Sequence, residues 1–204
     1  MGTVPSGRHI EFWYDFASTY SYLSAMRVEA VAGAAGVGVV WRPFLLGPIF
    51  QAQGWSTSLF NLYPAKGRYM IRDMERLSAE RGLIFHSPTV FPQNGLTAAR
   101  IALLGAEAGW IAAFSRAVFV AQFGHGRQIA DTSVLAEALT GLGLDFAGLF
   151  AQVDDPANKH RLRRQTDEAQ ALGLFGAPTF RTIDGELFWG DDRLDQAVAW
   201  ASRL

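Results

Sequence analysis

Ser18 stands where an apolar run, His9-Ile10-Glu11-Phe12-Trp13-Tyr14-Asp15, gives way to a helix-like stretch from Thr19 to Ala32. A hydroxyl at a strand-to-helix turn has two uses. It caps the helix by accepting a backbone N–H, and it can donate to an anion held at the same exposed turn. The chain contains no cysteine. Thiol–disulfide exchange by its own side chains is therefore excluded, because that reaction needs an attacking thiolate. A sulfur borrowed from a small thiol fits the turn instead. Donation from Ser18 would favour the ionised form and lower a thiol pKa from about 8.5 toward neutrality.

Three further groups carry chemical readings. Pro178, in Gly176-Ala177-Pro178-Thr179-Phe180-Arg181, is either a strand-edge proline or a cis-proline. A cis bond there would turn the Ala177 N–H and C=O outward, where an extended peptide ligand pairs as a short added strand. In Trp189-Gly190-Asp191-Asp192-Arg193, the two carboxylates either favour the start of a helix or receive a ligand ammonium. Lys66 follows Pro64, a residue suited to a first helical turn. A cation there opposes the helix dipole, which suggests a second use, such as holding a substrate carboxylate. A plain surface lysine is the alternative. His9, His86, His125 and His160 have no metal-binding spacing. No G-x-S-x-G elbow occurs, and Gly124-His125-Gly126 does not complete a dinucleotide fingerprint. Phe12, Trp13, Tyr14, Phe16, Tyr20 and Tyr22 crowd around Ser18 as core or as the lining of an aromatic pocket.

These residues need elements to hold them. Four strands are expected: Ile10 to Asp15, Val37 to Arg42, Pro178 to Ile183 and Leu187 to Trp189. Thr19 to Ala32 is the crossover helix of a βαβ unit, which makes the first two strands parallel. Asp184-Gly185 signals a two-residue hairpin between the last two. A helix over Asp192 to Ser202 follows, with Leu194, Ala197, Val198 and Ala201 at helical spacing. The middle of the chain is helical in pattern, over Ala65 to Arg81, Asn94 to Ala108, Ala112 to Gln122, Ser133 to Leu142 and Ala157 to Leu172. Asp131-Thr132-Ser133 offers an N-cap. The fold class is α/β: a thioredoxin-like βαβ…ββα domain over residues 8–62 and 174–204, interrupted by an all-helical insertion over 63–173.

Composition sets outer limits. At 204 residues, half of them hydrophobic, the chain can bury one sizeable core, with or without an insertion. Lys plus Arg total 18 and Asp plus Glu 19, so the net charge is -1, which argues against a general nucleic-acid binder. The stretch Met1-Gly2-Thr3-Val4-Pro5-Ser6-Gly7-Arg8 lacks the apolar core of a secretion signal. No apolar run reaches the roughly 18 residues of a membrane span. The expectation is a soluble, cytoplasmic protein.

Taken together, the segments Tyr14-Asp15-Phe16-Ala17-Ser18-Thr19-Tyr20-Ser21-Tyr22-Leu23, Arg42-Pro43-Phe44-Leu45-Leu46-Gly47, Pro64-Ala65-Lys66-Gly67-Arg68-Tyr69, Phe91-Pro92-Gln93-Asn94, Gly176 to Phe180 and Trp189 to Leu194 resemble the 2-hydroxychromene-2-carboxylate isomerase family. That family is similar to kappa-class glutathione transferases and to DsbA-like thioredoxin folds. The resemblance implies glutathione as cofactor, a small aromatic substrate and a homodimer. It implies Ser18 as the glutathione-activating residue. Ala177 would be the backbone partner of the cysteinyl part, ahead of cis-Pro178. Asp191 and Asp192 would contact the γ-glutamyl end, and Lys66 would reach the active site. Ser56, Asn61, Tyr69 and Asn94 are candidate substrate contacts. Two departures stand out: Thr19 replaces a frequent proline after the serine, and the family's loop asparagine has no firm counterpart, Ser56 and Asn61 being nearest. The reaction implied is the isomerisation of 2-hydroxychromene-2-carboxylate to trans-o-hydroxybenzylidenepyruvate, with a kappa-type transferase or peroxidase and a redox-silent binding protein as alternatives.

Overall fold

The computed structural model describes residues 7–204, the side chain of Leu59 excepted. Residues 1–6, part of the stretch read above for a secretion signal, lie outside the described residues. In chain order the elements are β1 (His9–Tyr14), α1 (Thr19–Ala25), α2 (Val28–Ala34), β2 (Gly38–Pro43), α3 (Leu46–Ala52), α4 (Leu59–Leu62) and α5 (Pro64–Glu80). There follow α6 (Leu96–Ala108), α7 (Ile111–Phe119), α8 (Thr132–Thr140), α9 (Phe146–Val153), α10 (Pro156–Ala171), β3 (Thr179–Thr182), β4 (Leu187–Trp189) and α11 (Leu194–Ala201).

The sheet order is β2-β1-β3-β4. β1 pairs parallel with β2 and antiparallel with β3, and β3 pairs antiparallel with β4. The parallel pair follows from the helical crossover, which returns the chain to the same end of the sheet. β1 is central, so both of its faces are covered. Ile10, Phe12 and Tyr14 enter the larger core, while Trp13 packs with Phe44, Ile49, Ala169 and Leu174 on the other side. That alternation is the period of two expected of a strand. Fully buried rings such as Phe12 each stabilise the fold by about 1.5–3 kcal/mol. The larger core runs unbroken from the sheet into the helical block: the Tyr14 and Phe16 rings both pack against Phe119 of α7. α10, inside the 63–173 segment, packs with α3 on the smaller core through Ala169.

Three local expectations are corrected. The single helix over Thr19 to Ala32 is two helices, broken at Met26 and Arg27. No glycine or proline sits at the break. Arg27, at φ -129, turns out of the helix and bonds Asp195 and Asp191, so a tertiary ion pair overrides local propensity. The hairpin is wider than two residues. Thr182 N–H donates to Glu186 O, three residues lie between them, and only Gly185 has positive φ, at 94°. The helix expected to reach Gln122 leaves α geometry after Phe119 and continues as a π-helical turn, Val120–Gly124. The sequence reading also passed over α3, α4 and α9. α3 contains Gly47-Pro48, which reads as a turn; proline is tolerated there because it lies in the first helical turn.

Candidate active site

The end of the sheet where β1 finishes and β3 begins brings together Ser18, Ala177, Pro178, Asp191 and Asp192. Ser18 is the N-cap of α1, in extended conformation, and its Oγ accepts Ser21 N–H at 3.2 Å. The same hydroxyl donates to Ala177 O at 2.8 Å, across 159 positions of chain. Capping and outward donation therefore coexist at one half-buried side chain. The dipole part of the sequence argument shrinks, because α1 has seven residues instead of fourteen. The hydroxyl itself remains the usable donor.

Ala177–Pro178 is a cis peptide. Among the described residues the Ala177 N–H has no protein acceptor. Pro178 O accepts Gly190 N–H at 2.9 Å, which seats the Gly190–Arg193 segment beside the proline. Gly190 has φ 110, a left-handed conformation that favours glycine.

The two neighbouring aspartates are not equivalent. Asp191 is buried, and both its oxygens are engaged. Ser24 Oγ donates to Oδ1 at 2.9 Å, Arg27 Nε approaches Oδ1 at 3.5 Å, and Arg81 Nη2 donates to Oδ2 at 2.6 Å. Asp192 keeps its side chain 77% exposed, with Arg193 Nε at 3.8 Å. Of the two carboxylates expected at the ligand, Asp192 is open to solvent and Asp191 braces α1 and α5 to the start of α11.

The remaining candidates lie in the loop before α4, on α4 and α5, and at the start of α6, with Asn94 placed next to the Ser18 turn. Asn94 Oδ1 accepts Leu96 N–H at 3.0 Å and so starts α6. Next to it, a Cβ on Gly95 would meet Phe16 Cβ at 2.9 Å; the Asn94–Gly95 corner lies directly on the Ser18 turn. Asn61 Nδ2 donates to Thr57 Oγ1 at 3.0 Å and to Phe91 O at 3.3 Å, joining α4 to the segment of the cis Phe91–Pro92 bond. Tyr20 OH donates to Asp73 Oδ2 at 2.9 Å, tying α1 to α5. Burial, reinforced by Asp73, pushes the Tyr20 hydroxyl well above its ordinary pKa. Tyr69 and Lys66 lie one and two turns before Asp73, on the same stripe of α5. Tyr69 is exposed under the Arg76 guanidinium, Lys66 Nζ lies 5.1 Å from the centre of the Tyr63 ring, and Ser56 is exposed. Among the described residues, Lys66 thus has a ring partner and no carboxylate partner.

Sequence reasoning missed Asp15. It is buried at the foot of the Ser18 turn, where Oδ1 accepts Ala17 N–H and Oδ2 accepts Leu46 N–H, each at 2.7 Å. Burial pushes its carboxyl above the usual range, and the bonds from Leu46 and Ala17 only partly offset that. An acid ending a mostly apolar strand, three residues before a hydroxyl, was the available signal.

The sheet order, the cis-proline facing the first helical turn and the helical block between β2 and β3 define a class. The family described as a DSBA-like thioredoxin domain matches residues 9–199, and the chain belongs to it. Within that class, a 2-hydroxychromene-2-carboxylate isomerase of Pseudomonas putida is 30% identical over 199 residues, covering 96% of this chain and 95% of that protein. The chain belongs to this isomerase family, a family of enzymes, as the sequence resemblance implied. A solved structure of a 2-hydroxychromene-2-carboxylate isomerase matches with a TM-score of 0.85 at 26% identity, over 96% of this chain and 95% of that one. Human glutathione S-transferase kappa 1 is 27% identical, over 96% of this chain and 90% of that protein.

Proposed function

We propose that this protein is a glutathione-dependent isomerase of 2-hydroxychromene-2-carboxylate or a related aromatic acid. The observation that carries the reading is the pairing of a half-buried Ser18 hydroxyl with Ala177, whose N–H has no acceptor among the described residues, in a chain without cysteine. Those groups suit glutathione. The Ala177 N–H can receive a carbonyl of the tripeptide, as an added strand would. Asp192 can receive its ammonium group, since that carboxylate is exposed beside Pro178. When bound, glutathione supplies a thiolate nucleophile that adds reversibly to the substrate and is returned unconsumed.

The protein's own part is electrostatic. Ser18 has one proton to donate, and without ligand it goes to Ala177 O. With a sulfur beside the turn, the hydroxyl rotates and donates to the thiolate, holding it ionised. Ala177 O then gives up a neutral hydrogen bond, and the ligand gains a charge-assisted one, which is roughly twice as strong. Lys66 and Tyr69, on the stripe of α5 that Asp73 fastens to Tyr20, face the substrate carboxylate and ring, with Ser56, Asn61 and Asn94 behind them. The enzyme works as a cytoplasmic homodimer, a state that light scattering checks.

Ser18→Ala tests the reading. It is expected to raise the pKa of the bound thiol and to lower glutathione-dependent turnover by about a hundredfold, as for loss of one preorganised donor. If both quantities stay at their wild-type values, the serine role is wrong. The kappa-class relative supports a second reading, a transferase that consumes glutathione. Counting free thiol over many turnovers separates the two: isomerisation leaves the count constant, and transfer depletes it.

A further inference from the structure

Asp15 has no part in the chemistry assigned above, yet it lies at the base of the turn that presents Ser18. Its two oxygens take two backbone donors from different segments, Ala17 N–H and Leu46 N–H, at 2.7 Å each. Its backbone carbonyl takes a third, Ser18 N–H, at 3.0 Å. Ala17 directly precedes the serine. Leu46 opens α3, and its neighbour Leu45 has no side chain able to cap that helix. Only a carboxylate offers two acceptor oxygens and no donor in this space; asparagine would turn an NH2 toward one of the two amides. From this geometry we propose that Asp15 is a positioning residue for Ser18: its carboxylate clamps the β1–α1 turn to α3, and so fixes the hydroxyl against Ala177 and against a ligand sulfur beside it.

The proposal rests on the glutathione reading for its functional consequence, while the clamp itself does not. Two variants approach it from opposite sides. Asp15→Asn leaves one amide unpaired. Leu46→Pro removes one donor and spares the carboxylate; proline suits the first helical position, and Leu45 already has the extended conformation that precedes proline, at φ -113 and ψ 119. In the folded variants, the clamp predicts a raised pKa of bound glutathione thiol, followed by thiolate absorbance against pH. It predicts turnover lower by about tenfold or more, as misplacement of a reacting group entails, and calorimetric glutathione affinity within about twofold, because the Ala177 N–H is untouched. A merely structural acid would lower thermal stability and leave thiol pKa and kcat alone, and that result in both variants overturns the proposal. If the wild-type protein takes up no glutathione, the functional reading fails separately. The clamp is then judged by hydrogen exchange at the Ala17 and Ser18 amides, which must quicken in Asp15→Asn beyond the loss of global stability; equal protection overturns it.

Discussion

Glu11 and Asp15 are buried acids four residues apart on one stretch of chain, and they are held in opposite ways. Glu11 lies mid-strand on the smaller-core face. Arg42 reaches its Oε1 with Nη2 at 2.7 Å and Nε at 3.1 Å, while Arg181 Nη1 at 3.2 Å and Trp13 Nε1 at 3.1 Å reach Oε2. Burial pushes the Glu11 carboxyl up, but the Arg42 charge and the hydrogen bonds from Arg42, Trp13 and Arg181 outweigh it, and the net shift is downward. Among the described residues Asp15 has neutral backbone donors only, burial wins, and its shift is upward. A buried carboxylate with charged partners braces a sheet. One held by dipoles alone is an unfavourable anion, retained where the backbone must be placed to a fraction of an ångström. The costly arrangement sits at the active end and the compensated one away from it.

The largest effect should come from breaking the compensated side. Glu11→Ala leaves two guanidinium groups facing a carboxylate that is gone, and it should destabilise the protein by about 3–5 kcal/mol, toward the lower figure because both arginines are partly solvated. Urea unfolding measures this, and turnover per folded molecule should stay at the wild-type level. Asp15→Asn should cost less in the same experiment, about 1–3 kcal/mol for one unpaired buried amide, while lowering activity. If stability and activity fell in parallel in both variants, the distinction between brace and clamp would be lost.

pH sharpens the contrast, because the two shifts have opposite signs. Glu11, lowered in the fold, contributes stability that is present above its unfolded pKa and lost as pH falls through the folded value. Asp15, raised in the fold, contributes stability that is present below its unfolded pKa and lost as pH rises through the folded value. Relative to wild type, Glu11→Gln should therefore show a flatter acid limb. Asp15→Asn should lose less stability on going from mildly acidic to neutral pH. Chemical denaturation at a series of pH values tests both slopes.

The smallest effects concern the adjacent pair at the start of α11. Asp191→Asn should lower the melting temperature, because Arg27 and Arg81 lose a buried anion. Asp192→Asn should leave the melting temperature unchanged and weaken glutathione binding by a few fold, in keeping with a solvent-exposed charge contact. Calorimetry and thermal melting on the two variants distinguish them, and a reversed pattern would exchange the roles given to the two residues.

Much of this was legible in the chain before any coordinates. The apolar run from Ile10 to Asp15 marked β1, and a helical crossover dictated its parallel partner. Ser18 stood out because a hydroxyl ended a strand in a chain without cysteine. Asp131 was read correctly as a cap, and its side chain accepts Ser133 N–H at 2.9 Å. What escaped was long-range. The break at Arg27 depends on Asp191 and Asp195, more than 160 positions away. α3 was hidden by Gly47-Pro48, which is a turn signal unless a first helical turn accommodates it.

The sequence by itself determined the parallel first pair of strands, the C-terminal hairpin, the run of helices between them and the absence of an intrinsic thiol, because hydrophobic period, turn residues and side-chain chemistry are local properties, whereas the β1–β3 pairing that joins the two halves is long-range. The tertiary structure alone decided which acids are free and which are spent. Asp191 and Asp192 are neighbours with the same side chain, yet one is buried against two arginines and the other lies largely in solvent beside Arg193. Charge pairing is set by what folding brings within about 4 Å, and a linear pattern holds no record of that distance.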